Sequence, residues 1–362
     1  MNLSDNNIKF AIVGYGHIGK RHAAIIRQHP HCSLVALCDN RPPEMLGITA
    51  TDTPFFNNIE ALLSSGIQFD VLCVATPNGL HETHSLLGLR ASKHVLVEKP
   101  MALSKAGCER MMAEARKQDR QLFCVMQNRY SPPSVWLKDL ISRQLAGRVH
   151  FVQINCFWNR DDRYYLPGNW HGTRTLDGGT LFTQFSHFID ILLWIFGAIE
   201  PVQARFFNFN HQHLVEFEDS GLVQFNLAGG GAGQFNYSTA VARENLESTI
   251  TVIGEKGAIK VGGQYMNEVL LCSIPGYEKP QLPDSLPPND YGHYKGSAAN
   301  HHFVFENIVD VLNGKANMTV AAEEGMQVVD TIERIYALGQ QELLQNLSTS
   351  GQAAKLNLSN YF

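Results

Sequence analysis

Ile8-Lys9-Phe10-Ala11-Ile12-Val13-Gly14-Tyr15-Gly16-His17-Ile18-Gly19 runs an apolar strand straight into a complete G-x-G-x-x-G, and a helical stretch follows from Lys20 to about Gln28. Glycines at these spacings suit a tight turn, close approach of backbone to a pyrophosphate, and close packing of helix on strand. The helix start adds free N–H groups and the positive end of its dipole. A strand before the motif and a helix after it are the context a dinucleotide site requires. Gly14, Gly16, His17, Ile18 and Gly19 are therefore read as cofactor-binding. A second strand, over 33–38, ends at Asp39, about 20 residues past the motif, where the fingerprint places an acid on the adenosine ribose hydroxyls. A carboxylate there repels a 2′-phosphate and favours NAD over NADP. Arg41 stands close enough to blur that preference.

Outward from this unit the alternation continues, with helices expected over 58–65, 80–91 and 104–118 and strands over 69–75, 94–97 and 122–126. This spacing predicts βαβ units and a parallel sheet. Val95-Leu96-Val97-Glu98-Lys99-Pro100 has the continuous apolar run of a buried parallel strand, and it delivers Lys99 to the carboxyl end, where ligands of open α/β sheets sit. Pro100 stops the strand and biases Lys99 towards an extended backbone. Thr76-Pro77-Asn78 closes a neighbouring strand end on the same face, so its polar groups are candidates for the nicotinamide ribose. Glu98 and Lys99 are counted with them as cofactor-binding.

A chain of 362 residues exceeds one ordinary core, and 44% hydrophobic with 17% charged content is that of a globular protein. The net charge of −5 gives no basic footprint for nucleic acid. Seven scattered cysteines lack the paired spacing of zinc sites or disulfide frameworks and fit a reducing compartment. The first seven residues do not read as a signal peptide, and the greasiest run, 191–199, falls short of the roughly 20 residues of a membrane span. A cytoplasmic location is expected.

The pattern changes after about Gln127. One amphipathic helix is expected over 132–144, followed by strands over 149–154, 203–209, 222–227, 233–238, 248–253 and 258–261, with hairpin turns at Gly229-Gly230-Gly231 and Gly254-Glu255-Lys256-Gly257. This reads as a mostly antiparallel sheet with helices. The expected division is 1–127 for a dinucleotide-binding domain, 128–341 for an α+β substrate domain, and 342–362 for a tail. His211-Gln212-His213 has no carboxylate or cysteine spacing to complete a metal site, so no metal is expected.

Within the second domain, 181–196 is predicted as one apolar helix capped by Asp177, with Thr183, His187 and Asp190 on one face. A buried polar stripe needs partners. A core histidine satisfied by Thr183 or Asp190 is one reading. The other is a base for alcohol oxidation, since imidazole titrates near neutrality.

The glycine motif, Glu98-Lys99-Pro100, and Gly178-Gly179 followed by His187-Phe188-Ile189-Asp190 together resemble the glucose–fructose oxidoreductase/inositol dehydrogenase/MocA (Gfo/Idh/MocA) family, from Ile8 to about Leu338. Within it, 160–179 and Tyr291-Gly292-His293-Tyr294 most resemble dehydrogenases of nucleotide-linked N-acetyl-aminouronic acids, used in surface-polysaccharide synthesis. The resemblance implies a dinucleotide domain, an open-sheet second domain that forms homodimers or homotetramers, and a lysine and a histidine at the hydride-transfer centre. These would be Lys99 and His187. Many members carry Asp or Asn one turn before the histidine; this chain has Thr183, and Phe185 replaces a family glycine. The implied reaction is oxidation of a sugar ring hydroxyl to a ketone, with His187, or Lys99 through a relay, taking the proton and Lys99 stabilising the alkoxide. Tyr291 is a further candidate at the site. Arg129, Arg163, Asn169 and Arg174 are candidates for the substrate's carboxylate or diphosphate, and Trp170 for an apolar sugar or base face. Two alternatives remain: a dehydrogenase of free sugars or inositol, and a non-catalytic NAD(P)-binding regulator.

Overall fold

The computed structural model describes residues 7–48, 53–166, 169–292 and 294–349, with the side chains of 342–349 left aside. His293 lies outside the described residues. By its internal contacts the chain divides into two units. Residues 1–126 with 301–329 form one, and 127–300 with 330–362 form the other. The segment 301–329 therefore groups with the first unit and not with the substrate domain that the sequence suggested.

The first unit is a six-stranded parallel sheet. In chain order it runs β1 (Ile8–Val13), α1 (His17–Gln28), β2 (Cys32–Cys38), β3 (Phe55–Phe56), α2 (Ile59–Ser64), β4 (Val71–Val74), α3 (His81–Arg90), β5 (His94–Val97), α4 (Lys105–Lys117) and β6 (Leu122–Cys124). The strand order is β3-β2-β1-β4-β5-β6, and every pairing is parallel. The order reverses between β1 and β4, so the carboxyl ends of these strands flank the crevice that doubly wound folds use for dinucleotides. Strands β4 and β5 are buried along nearly their whole length, which explains their unbroken apolar runs. Asn58 and Ser104 cap α2 and α4 through their side-chain oxygens. Helix α8 (His301–Leu312) belongs here because its apolar face reaches β1 and α1: the Phe305 ring lies 5.5 Å from Phe10 and 5.2 Å from His22.

The second unit is built on α5 (Pro132–Ser142), β7 (Val149–Phe157), α6 (Thr180–Thr183), α7 (Ser186–Phe196), β8 (Ile199–Phe207), β9 (Ser220–Leu227), β10 (Ala232–Ser238), β11 (Glu247–Gly254), β12 (Gly257–Gly262) and β13 (Glu268–Ser273). These strands form one seven-stranded sheet, β13-β12-β11-β7-β10-β9-β8, and β14 (Pro288–Asp290) pairs with β15 (Lys295–Ala298) separately. All neighbours in the large sheet are antiparallel except β7 and β10, which run parallel. The two glycine hairpins sit where expected, joining β9 to β10 and β11 to β12. The inward rings of β10, Phe235 and Tyr237, pack against Phe185, which in turn meets Phe188, both from the segment that carries His187. Helix α9 (Ala322–Thr349) begins in the first unit, continues in the second from Asp330, and includes the start of the expected 342–362 tail. All seven cysteines are free, and among the described residues no helix is long and apolar enough to cross a membrane.

Candidate active site

In the first unit, two of the three motif glycines are there because nothing larger fits. A Cβ on Gly14, at φ +88°, would lie 2.4 Å from the Ala75 carbonyl oxygen, and one on Gly19 would lie 2.0 Å from that of Gly14. Gly16 is different. Its Cβ direction meets only Arg41 Nη2, at 3.9 Å, so the space above the start of α1 is open. Gly16 caps that helix without a side chain. An open cradle at a helix N-terminus fits the diphosphate of a dinucleotide, with His17 and Ile18 in the first turn behind it.

Asp39 follows β2 beside this loop and is buried. Its carboxylate accepts from Tyr15 N at 2.7 Å, Arg41 N at 3.0 Å, and Arg41 Nε and Nη2 at 2.9 Å each. Burial alone would raise this carboxyl, but the Arg41 fork and the two amides outweigh it and hold it below its ordinary value. Asp39 is thus an ionised acceptor at the end of β2, where the sequence expects the ribose contact. Arg41 is its partner in the same place.

Thr76, Pro77 and Asn78 turn out of β4 into a short 3-10 turn, and Lys99 lies half-buried just past β5. His81 staples the two strand ends, with Nδ1 2.7 Å from the Pro100 carbonyl and Nε2 2.8 Å from that of Thr76. Burial pushes this imidazole below its ordinary value, so at neutral pH its single N–H serves one of the two carbonyls. Glu98, expected on the cofactor face, is turned into the core. Its Oε1 lies 2.9 Å from His22 Nε2 and 3.8 Å from His301 Nε2, while Oε2 accepts from the Lys99 amide at 3.2 Å. Burial alone would raise the Glu98 carboxyl. The His22 hydrogen bond and the neighbouring charges lower it to about 2, so the group is ionised. Burial lowers His301 to about 3. His22, Glu98 and His301 bring one ligand atom each within 4.8 Å. Both imidazoles, however, leave Nδ1 without a partner, where metal-bound histidines nearly always anchor their second nitrogen. The trio reads as a hydrogen-bonded carboxylate and not as a metal centre.

In the second unit the helix expected over 181–196 is broken. Helix α6 ends at Thr183, α7 starts at Ser186, and Asp177 caps neither; the cap positions are Gly179 and Phe185. Asp177 is fully buried and organises the loop instead, accepting from Gly172 N at 2.8 Å and from the Thr183 hydroxyl. Thr183 therefore sits at the end of α6, its hydroxyl bonded to Asp177, and His187 in the separate helix α7. Asp190 is likewise engaged: Arg129 Nη2 lies 2.6 Å from Oδ1, and Nε lies 3.0 and 3.1 Å from the two oxygens. His187, 3% exposed in the first turn of α7, has its Nε2 3.3 Å from the Gln127 amide nitrogen. Gln127 was not among the expected site residues. It stands at the point where the alternating pattern ends, and the amide donates to an unprotonated Nε2.

The expected anion-binding arginines are mostly spoken for. Arg129 is buried against Asp190, and Arg163 forks onto Asp161 at the surface. The Arg174 amide donates to Glu216, but its guanidinium Nη2 is buried without a hydrogen-bond partner. Asn169 reaches the Tyr164 carbonyl and His171, and Trp170 stacks on His171 with centroids 3.9 Å apart. Tyr291 stacks on Tyr294 at 4.9 Å.

Family models match both units, the NAD-binding Rossmann fold of an oxidoreductase family over residues 8–126 and the GFO/IDH/MocA C-terminal domain over 135–260. The chain belongs to the Gfo/Idh/MocA family. The WlbA dehydrogenase of Bordetella pertussis, solved with NADH and UDP-GlcNAcA, is similar at 30% identity and a TM-score of 0.81, over 93% of this chain and 98% of that one. WlbA of Chromobacterium violaceum, with the same two ligands, is similar at 28% identity and a TM-score of 0.81, over 94% and 96%. The myo-inositol 2-dehydrogenase of Thermotoga maritima is 26% identical over 266 residues, 70% of this chain and 74% of that enzyme. As a Gfo/Idh/MocA protein the chain is an NAD-dependent oxidoreductase of the sugar and polyol class, and its first unit is the NAD-binding domain.

Proposed function

We propose that this Gfo/Idh/MocA enzyme oxidises a ring hydroxyl of a UDP-linked N-acetyl-aminouronic acid to the ketone, in surface-polysaccharide synthesis. The observation that carries the reading is the likeness to two WlbA structures across nearly the whole chain. Bound NAD⁺ supplies the hydride acceptor. The chain's own part is to hold the cofactor on Gly14, Gly16, Gly19 and Asp39 and to manage charge at the hydroxyl. Lys99 brings an ammonium group to the developing alkoxide, where a fixed positive charge is worth most. His187 takes the hydroxyl proton at Nε2, which the Gln127 amide must first vacate because it donates to that nitrogen's one lone pair. A homodimer or homotetramer built on the open sheet completes the proposal. Val202, Leu222, Ile253 and Leu270 on its strands are exposed, and light scattering would test it.

A free sugar or polyol is the second reading. It is favoured by the inositol dehydrogenase relative and by the neutralised state of Arg129 and Arg163. Turnover followed by NADH absorbance on UDP-N-acetylglucosaminuronate, glucose and myo-inositol decides. A higher kcat/KM on the uronate supports the proposal, and preference for either neutral substrate replaces it with the second reading.

A further inference from the structure

Arg160 lies three residues beyond β7 and is 3% exposed, yet no acid among the described residues forms an ion pair with it. Its backbone is fixed on both sides: its N–H donates to the Thr239 carbonyl at 3.0 Å, and its own carbonyl takes His211 Nε2 at 2.6 Å. The guanidinium is held among three rings, 4.7 Å from the Tyr294 centroid, 4.9 Å from Trp158 and 5.2 Å from Tyr164. Nη1 donates to the Asn159 carbonyl at 2.5 Å and to Asn245 Oδ1 at 3.3 Å. Nε is buried without a partner, and Nη2 makes no hydrogen bond to any described residue. Arg41, Arg110, Arg129 and Arg163 each rest on a carboxylate. Arg160 does not.

Aromatic faces orient a guanidinium and attract it, but they carry no net negative charge. A buried cation without a counter-ion is costly, and a fork with two unused nitrogens matches the two oxygens of a carboxylate or phosphate. The position ties the group to the site. The Tyr164 hydroxyl accepts from Gln184 at 3.1 Å, three residues before His187, and the Tyr164 ring lies 4.2 Å from that of His171. We propose that Arg160, caged by Trp158, Tyr164 and Tyr294, binds an oxyanion of the substrate, the sugar carboxylate or the diphosphate. The proposal rests on the nucleotide-uronate reading for the identity of the substrate. It assigns the anion to a residue other than the three expected arginines.

The test measures binding by calorimetry, with NADH present, of UDP-N-acetylglucosaminuronate, UDP-N-acetylglucosamine and glucuronate to the unmodified enzyme, Arg160→Met and Arg160→Lys. The expected result is at least about tenfold weaker binding to Arg160→Met of the ligand that carries both anionic groups, with NADH affinity kept. If the carboxylate is the group, glucuronate weakens with it and UDP-N-acetylglucosamine does not; if the diphosphate is, the two exchange places. Affinities within twofold of the unmodified enzyme for all three ligands overturn the proposal. Should Arg160→Met not fold, Arg160→Lys decides, because it keeps the charge and loses the fork. It should bind the anion several-fold more weakly, and unchanged binding overturns the proposal. An unmodified enzyme that binds no UDP-sugar removes the substrate reading instead. Sulfate then serves as the probe. Thermal stabilisation of the unmodified enzyme but not of Arg160→Lys upholds an anion site at Arg160, and equal responses overturn it.

Discussion

Two buried glutamates, one in each unit, have the same side chain and opposite fates. Glu98 in the first unit is held ionised near a pKa of about 2, whereas Glu218 in the second is raised to about 7. Burial pushes both upward, so depth does not separate them. Their partners do. Glu98 faces two imidazoles, with His22 Nε2 at 2.9 Å. Glu218 accepts from two neutral phenols, Tyr336 at 2.7 Å and Tyr237 at 3.0 Å, and these do not offset its desolvation. One carboxylate is built as a charge beside the Lys99 amide. The other is built as a proton holder below the loop into α6, where the Leu181 amide donates to the Tyr336 hydroxyl at 3.2 Å. Gly179 permits that approach, since a Cβ there would sit 2.2 Å from the same hydroxyl.

The largest effect is expected where the Glu98 side meets chemistry. Lys99→Met should lower kcat by about 10²–10³-fold while NADH binding, measured by fluorescence, stays nearly intact. An equal loss of NADH affinity would make Lys99 a cofactor anchor. Next, Glu98→Gln should destabilise the protein by about 2–4 kcal/mol in urea unfolding, because it breaks a buried charged network. A loss under about 0.5 kcal/mol would mean that the two glutamates are equivalent.

The pH dependence sharpens the contrast further. The lowered pKa values of His301 and Glu98 give stability that is complete above about pH 6.5. The His301 share is lost between about 6.5 and 3, and the Glu98 share between about 4.5 and 2. The raised Glu218 pKa gives stability that is complete below about 4.5 and lost as pH rises through about 7. Glu218→Gln should therefore gain on the unmodified protein between pH 5 and pH 8, by about 1–3 kcal/mol, in melts across that range. A parallel pair of curves would remove the contrast. The smallest effect is at the cofactor. Asp39→Ala should weaken NAD binding about 3–10-fold and narrow the gap to NADP. Tighter NADP binding by the unmodified protein would transfer the ribose position to Arg41.

What the sequence reveals here follows how local each cause is. The strand–glycine–helix unit, the parallel sheet and the two glycine hairpins depend on neighbouring residues, and they read correctly. The break at Gln184-Phe185 does not, because every residue from Thr180 to Phe196 suits one apolar helix. Only the fold shows Thr183 at the end of α6, its hydroxyl bonded to Asp177. Arg129 looked like an anion binder because Asp190, its partner, is 61 positions distant. The inward turn of Glu98 depends on His22 and His301, far from it on either side. Arg160 went unnoticed for the same reason: its defining feature is the absence of an acid among residues gathered from four separate segments.

The pairing of β7 also fixes an order of events during synthesis. β7 sits in the middle of the large sheet, yet its two neighbours, β10 and β11, begin only at Ala232 and Glu247. At about 5–20 residues per second, the chain carries β7 unpaired for on the order of 4–15 s before β10 exists. Val152, Ile154 and Cys156, all buried in the finished sheet, have no sheet partner to cover them during that interval. β1, in contrast, meets β2 after only about 20 residues. The two sheets therefore differ in when they are vulnerable, and aggregation on the ribosome should begin at β7.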